Sequence, residues 1–310
     1  MAAVRWMAAL GRHGTTVLFG SIFLGLLLPS AASFLRPTLP AFVFLLLFIS
    51  LLRVDWSALG QVLRRPFLIS GLVVGLMIAA PVLTWVLLLP LPIPEGLRTG
   101  IVLMAAGPPI LGATAIAFLL RLDGAVTLVV CLCCTLLTPI TVPPVALILL
   151  GLDLDISLLS FMGRLGILVG VSLLLAVAVR RKVGSVVLAQ NHELLDGLVV
   201  LCMVGFAVAI MEGVTDTAMV DPQRVALWTL AGLAANPLLQ VLGYAGTRFL
   251  GRNRGLTVGL MMGNRNMGLL LAALPAGADP GVALFFAVAQ IPMYTLPALQ
   301  KRLYQRIART

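Results

Sequence analysis

Between residues 14 and 299 the chain repeats one pattern: an apolar run, then a short joint of charged residues, proline or glycine. Roughly 17 to 25 apolar residues make one membrane crossing, and about ten cores of that kind can be marked. They fall at 14–34, 38–52, 67–89, 99–120, 125–150, 158–179, 194–212, 224–246, 256–274 and 281–299. The pattern predicts an all-α membrane protein. Two cores are interrupted: GPPILGAT, residues 107–114, breaks into the fourth, and GNRNMG, residues 263–268, into the ninth. In the fourth, Gly107, Pro108 and Pro109 oppose an unbroken helix, because each proline lacks an amide donor and crowds the preceding turn.

Composition agrees with the pattern. Of the 310 residues 61% are hydrophobic and 10% charged, with a mean hydropathy of +1.12, which excludes a soluble globular protein. The net charge of +10 does not indicate nucleic acid, since the basic residues sit at the ends of apolar runs and not on a soluble domain. It reports topology instead. With the N-terminus inside, most Lys and Arg fall in cytoplasmic joints, and Arg36, Arg98, Arg164 and Arg224 fall on the other side. Both termini are therefore expected in the cytoplasm of a cell with this chain in its inner (plasma) membrane, and the number of spans is even. The first run is read as an uncleaved span, although PSAAS at 29–33 weakly resembles a cleavage site. Cys131 and Cys134 share a helical face with no His or carboxylate nearby, so they read as packing residues and no metal or cofactor is expected.

Five spans end near residue 150 and five follow, which predicts two repeats, 1–155 and 156–310. An odd number of spans per repeat inserts the second upside down, the arrangement of inverted-repeat transporters, whose interrupted helices face each other in the interior. The second half-helices are expected to begin around Leu111 and Asn266, with free amides and positive dipole ends converging on an anion. Gly112, Ala113, Thr114, Asn264, Arg265 and Asn266 are the candidate substrate-binding residues, and Gly107, Pro108, Pro109, Gly263 and Gly268 the candidate breakers. Arg265 is the strangest of these. It lies eleven residues beyond Arg254, roughly 16 Å deep in an apolar layer about 30 Å thick, where an arginine costs roughly 2.5 to 3.5 kcal/mol.

Three stretches carry a resemblance: LLRVDWSALGQVLRRP, AAGPPILGATAIAFLLRLDGAVTLVV and LGYAGTRFLGRNRGLTVGLMMGNRNMGL. They resemble the bile acid:sodium symporter family, within the superfamily that includes the arsenite and auxin carriers. The resemblance implies ten helices, a panel of spans one, two, six and seven, and a core of spans three to five and eight to ten in which broken spans four and nine cross. It also implies transport of organic anions, usually with sodium. The departures are as informative. Met77, Ala113, Thr114, Thr127, Cys131, Met261, Met262 and Arg265 occupy or adjoin positions that the resemblance aligns with sodium ligands. Sodium prefers hard oxygens, which thioether sulfur and a guanidinium cannot replace, so this reads as a divergent member with degraded sodium sites.

All eleven Asp and Glu, and both His13 and His192, lie in joints or at span ends. That leaves no deep carboxylate to carry a proton. An enzyme is not expected, for want of a buried nucleophile, carboxylate pair or metal cluster. The expected function is a secondary transporter of a small organic anion, working by alternating access in the lipid bilayer and independent of sodium. A sodium-coupled symporter and a non-transporting receptor on the same fold are the alternatives. Arg265 has two readings: a tethered cation that replaces sodium, or a direct ligand for a substrate carboxylate.

Overall fold

The computed structural model describes residues 14–54, 60, 65–151, 158–274 and 279–309. Most of the quoted joint at 55–64, together with Asp153 and Asp155 and the residues before Gly14, lies outside the described residues. In chain order the helices are α1 (Gly14–Leu27), α2 (Pro29–Leu35), α3 (Leu39–Leu52), α4 (Pro66–Val74), α5 (Ala80–Leu88), α6 (Glu95–Ala106), α7 (Ala113–Leu119), α8 (Gly124–Leu150), α9 (Leu158–Val183), α10 (Ser185–Gln190), α11 (His192–Ile210), α12 (Val214–Val220), α13 (Pro222–Thr247), α14 (Arg252–Gly263), α15 (Met267–Ala273), α16 (Pro280–Val288) and α17 (Gln290–Arg309). A π-helical segment, Gly75–Ala79, joins α4 to α5. Among the described residues no strand forms, and the extended pairing is a single backbone bridge between Pro109 and Arg265.

Among the described residues six stretches are long and apolar enough to cross a membrane: Pro29–Leu52, Pro66–Leu88, Gly124–Leu150, Leu158–Val183, His192–Val220 and Pro222–Leu250. Other apolar segments are shorter for visible reasons. α6 with α7, and α14 with α15, are halves of interrupted runs, and α1 gives way where Pro29 opens α2.

The chain forms two compact units, Met1–Val54 with Gly166–Leu227, and Asp55–Leu165 with Trp228–Thr310. In the first, α3 runs antiparallel to α11. Arg53, just past the end of α3, pairs with Asp196 near the start of α11 at 2.8 Å, and Arg36 pairs with Glu212 at the opposite ends at 4.0 Å. Such part-exposed pairs fix register and contribute about 0 to 1 kcal/mol each. α1 lies parallel to α11, with Gly25 against Met211 and Thr215 Oγ1 donating to Leu26 O at 2.7 Å. Arg180 of α9 donates to Leu52 O at 2.9 Å, satisfying a carbonyl that the end of α3 leaves open.

The second unit contains both interrupted runs. Glycines four apart, and therefore on one helix face, let its helices approach closely. A Cβ at Gly96 or Gly100 of α6 would strike Asp279 or Phe285, and a Cβ at Gly259 of α14 would come within 2.6 Å of Gln240 O on α13. Trp228 Nε1–H donates to Gly281 O at 3.1 Å, tying α13 to α16. After α7 the chain turns through Arg121, which takes a left-handed φ of 60° while Leu122 N–H donates back to Ala117 O. That turn is fastened to α14: Asn253 Nδ2–H donates to Arg121 O, and Asp123 N–H to Thr257 Oγ1. Beneath it Ala117, Leu120, Leu122, Leu256, Leu260 and Tyr304 form one buried cluster.

Candidate functional site

The two interruptions meet. α6 stops at Ala106 and α7 begins at Ala113, while α14 stops at Gly263 and α15 begins at Met267. Across the gap Ile110 N–H donates to Asn264 O at 2.9 Å and Asn266 N–H donates to Pro108 O at 2.7 Å. Pro109 has no N–H to give, so the residues on either side of it make this short antiparallel ladder. The second break is narrower than its sequence suggests. Gly263 is the last residue of α14 and Gly268 lies inside α15, because Asn266 Oδ1 accepts from Leu269 N–H at 3.1 Å and caps the new helix before Gly268 is reached. Gly107 and Gly112 bound the first break at 107–112.

One expectation is corrected here. Most of the amides opening α7 and α15 are already engaged, so few are left free. Ala113, Thr114 and Ala115 donate to the carbonyls of Ile110, Leu111 and Gly112, Met267 donates to Arg265 O, and Leu269 to the Asn266 cap. Tight first turns and a side-chain cap satisfy these groups, whereas Gly268 N–H makes no such bond. The full positive charge at the crossing is that of Arg265.

Arg265 is fully buried, at 0% exposure. Its Nε–H donates to Met262 O at 2.9 Å, and Nη1 donates to Gly107 O at 2.8 Å and Leu76 O at 3.2 Å. Each acceptor is available for a structural reason. The α-helical donor to Met262 O would be Asn266 N–H, which is engaged with Pro108 O. Gly107 is extended, with ψ 153°, at the end of α6. At Leu76 the helix is in π register: Ala80 N–H reaches back to Gly75 O, and the next residue, Pro81, has no N–H to give. A guanidinium has five donors, and Nη2 has no partner. Among the described residues no carboxylate pairs with Arg265, and its electrostatic neighbours are the buried thiols of Cys131 and Cys134 on α8.

The other nominated residues sort by burial. Met77, Ala113, Thr127, Cys131, Met261, Met262 and Asn264 are buried, Thr114 and Asn266 half-buried, and Gly112 exposed. Thr127 turns its hydroxyl to Asp123 O at 2.8 Å. Asn264 Nδ2 donates to Leu260 O at 2.8 Å, whereas Asn264 Oδ1 and Thr114 Oγ1 are buried without a partner. Four residues that matter here had not been singled out: Leu76, Asn236, Gln240 and Tyr304. Asn236 Nδ2 donates to Gly263 O at 2.7 Å. Its signal was in plain view, since AANPLLQVLGY places two carboxamides four residues apart inside an apolar run.

Residues 40–219, more than half of the chain, match the profile of the Sodium Bile acid symporter family. The chain belongs to the sodium bile acid symporter family. Among curated proteins none matches it. The family match takes in the first break and ends before the second, so the Arg265 side of the crossing is defined by the structure alone. As a member of this family the protein is a membrane-embedded transporter of the bile acid/sodium symporter type.

Proposed function

We propose that this transporter moves a small organic anion by alternating access without sodium, and that Arg265 is a permanent cation at the centre of the crossing. One observation carries the reading: a buried guanidinium donates to three backbone carbonyls from three separate segments, as a small monovalent ion would be held by them. The residues present do not fit sodium. Met77 and Met261 offer thioether sulfur, Ala113 offers no side-chain ligand atom, and Arg265 brings a repelling charge. Among the described residues the guanidinium has no carboxylate partner, so its charge favours a negatively charged substrate near the half-buried edge at Thr114 and Asn266. On this reading the unit containing the crossing is the substrate-carrying core and the other unit the panel, built from repeats 1–155 and 156–310, in a plasma membrane with both termini cytoplasmic.

Thermal unfolding of the purified protein in sodium, potassium and choline chloride tests the reading without knowledge of the substrate. A specific site filled at 100 times its Kd adds about 2.7 kcal/mol, a shift of several degrees, so the three curves should coincide. A stabilisation seen with sodium alone overturns the proposal. The double variant Arg265→Gln with Met261→Glu restores oxygen ligands at two positions and is expected to acquire a sodium-dependent shift that the wild type lacks.

A further inference from the structure

A second polar path runs through the apolar interior beside the crossing. Asn236 and Gln240 lie one turn apart on α13, exposed by 1% and 6%, and Tyr304 on α17 is exposed by 6%. Tyr304 O–H donates to Gln240 Oε1 at 2.6 Å, Gln240 Nε2–H to Asn236 Oδ1 at 2.6 Å, and Asn236 Nδ2–H to Gly263 O at 2.7 Å. Chemistry fixes the direction of this path. The Gly263 carbonyl can only accept, so Asn236 must turn its nitrogen to it and its oxygen to Gln240. Gln240 must do likewise, which leaves Tyr304 as the donor at the far end. The glycine face of α14 makes the reach possible, because a Cβ at Gly263 would overlap Gln240 Cγ.

The end of the path depends on the break. In a continuous helix Gly263 O would accept from Met267 N–H, four residues on, but that amide donates to Arg265 O. Straightening the helix would turn Gly263 O toward Met267 N–H and away from Asn236, and every group back to Tyr304 would lose its fixed orientation. We infer that Asn236, Gln240 and Tyr304 are positioning residues for the crossing: their relay holds the ninth span in its broken form, so that docking of the C-terminal part of α17 and the break between α14 and α15 stabilise each other. The relay touches neither Arg265 nor the residues nearest the substrate edge, and it operates whichever ion the transporter uses.

Hydrogen exchange on the full-length protein in nanodiscs, with no ligand added, tests the relay. The reporters are the amides of Ile110 and Asn266, which form the crossing. Tyr304→Phe removes one hydroxyl more than 30 residues from either reporter in sequence. It should speed exchange at both by about fivefold, the size expected for one hydrogen bond, while α16 keeps its protection. Asn236→Ala should do the same or more, and the double variant should exchange no faster than Asn236→Ala alone, because both act through one chain. If Asn236→Ala does not give folded protein, Gln240→Met, similar in length and unable to take part, replaces it in the cycle. Unchanged exchange in Tyr304→Phe, effects that multiply in the double variant, or a loss of protection spread equally over α16 would each overturn the inference.

Discussion

The first break contains two adjacent prolines and the second contains none, yet each stops its helix and hands the chain to the other. A third region sharpens the contrast: α8 carries Pro139, Pro143 and Pro144 and stays helical throughout Gly124–Leu150. Adjacent prolines therefore permit a break without dictating one. What distinguishes Pro108 and Pro109 is a partner segment that pairs with the backbone on either side of Pro109, at Pro108 O and Ile110 N–H. In the second break that partnership is supplemented by side chains. Arg265 occupies the carbonyls of Met262 and Gly107, Asn236 that of Gly263, and Asn266 caps the helix that follows. One break is written in missing amides and the other in added donors.

The sharpest way to break this comparison is Arg265→Met, which keeps much of the side-chain length and removes every donor. Three buried carbonyls lose their partner, at about 1 to 3 kcal/mol each, a sum comparable with the whole stability of many proteins, about 5 to 15 kcal/mol. Little monodisperse protein is expected on size-exclusion chromatography after detergent extraction. Arg265→Lys should be intermediate, because a compact ammonium cannot span three acceptors as a planar guanidinium does. Recovery of Arg265→Met at wild-type yield and unfolding temperature would show that the second break does not rely on added donors.

Pro108→Ala combined with Pro109→Ala should be milder. The two crossing bonds remain, so the loss is bounded by their worth, about 2 kcal/mol together, and the protein should stay folded with faster exchange at Ile110. A collapse as severe as that of Arg265→Met would mean that the prolines impose the break after all. Smallest is Asn266→Ala, the loss of one helix cap at about 1 kcal/mol. It should be visible as a modest fall in unfolding temperature that Asn266→Asp largely avoids.

Much of this crossing was legible in the sequence because glycine, proline and an arginine flanked by asparagines act locally. They say where a helix cannot continue and where a charge needs company. Two of the Arg265 acceptors, Gly107 O and Met262 O, follow from the breaks themselves. Leu76 O does not, since a change of helical register leaves no composition signal beyond a glycine and a proline six residues apart, Gly75 and Pro81. Most of the supposed free amides are engaged for a related reason: sequence shows where a helix restarts but not whether its first turn tightens onto its own carbonyls. The Tyr304 path joins residues 64 apart, a distance over which local pattern carries no information.

The π segment at Gly75–Ala79 has an effect at a distance as well. An α-helix advances about 100° per residue, so one residue added to a turn swings everything beyond it by about a quarter turn. Ile69, Leu72 and Val73 are buried before the segment, Leu76 and Met77 within it, and Ala80, Pro81 and Thr84 after it. On an uninterrupted α-helix Pro81 would point about 120° away from Ile69, and the swing brings it back under the line through Ile69 and Leu76. Span three is thus two helices with a phase offset, like a shaft keyed at one collar. The length of that collar, more than the identity of any side chain in it, decides which side of α5 faces inward.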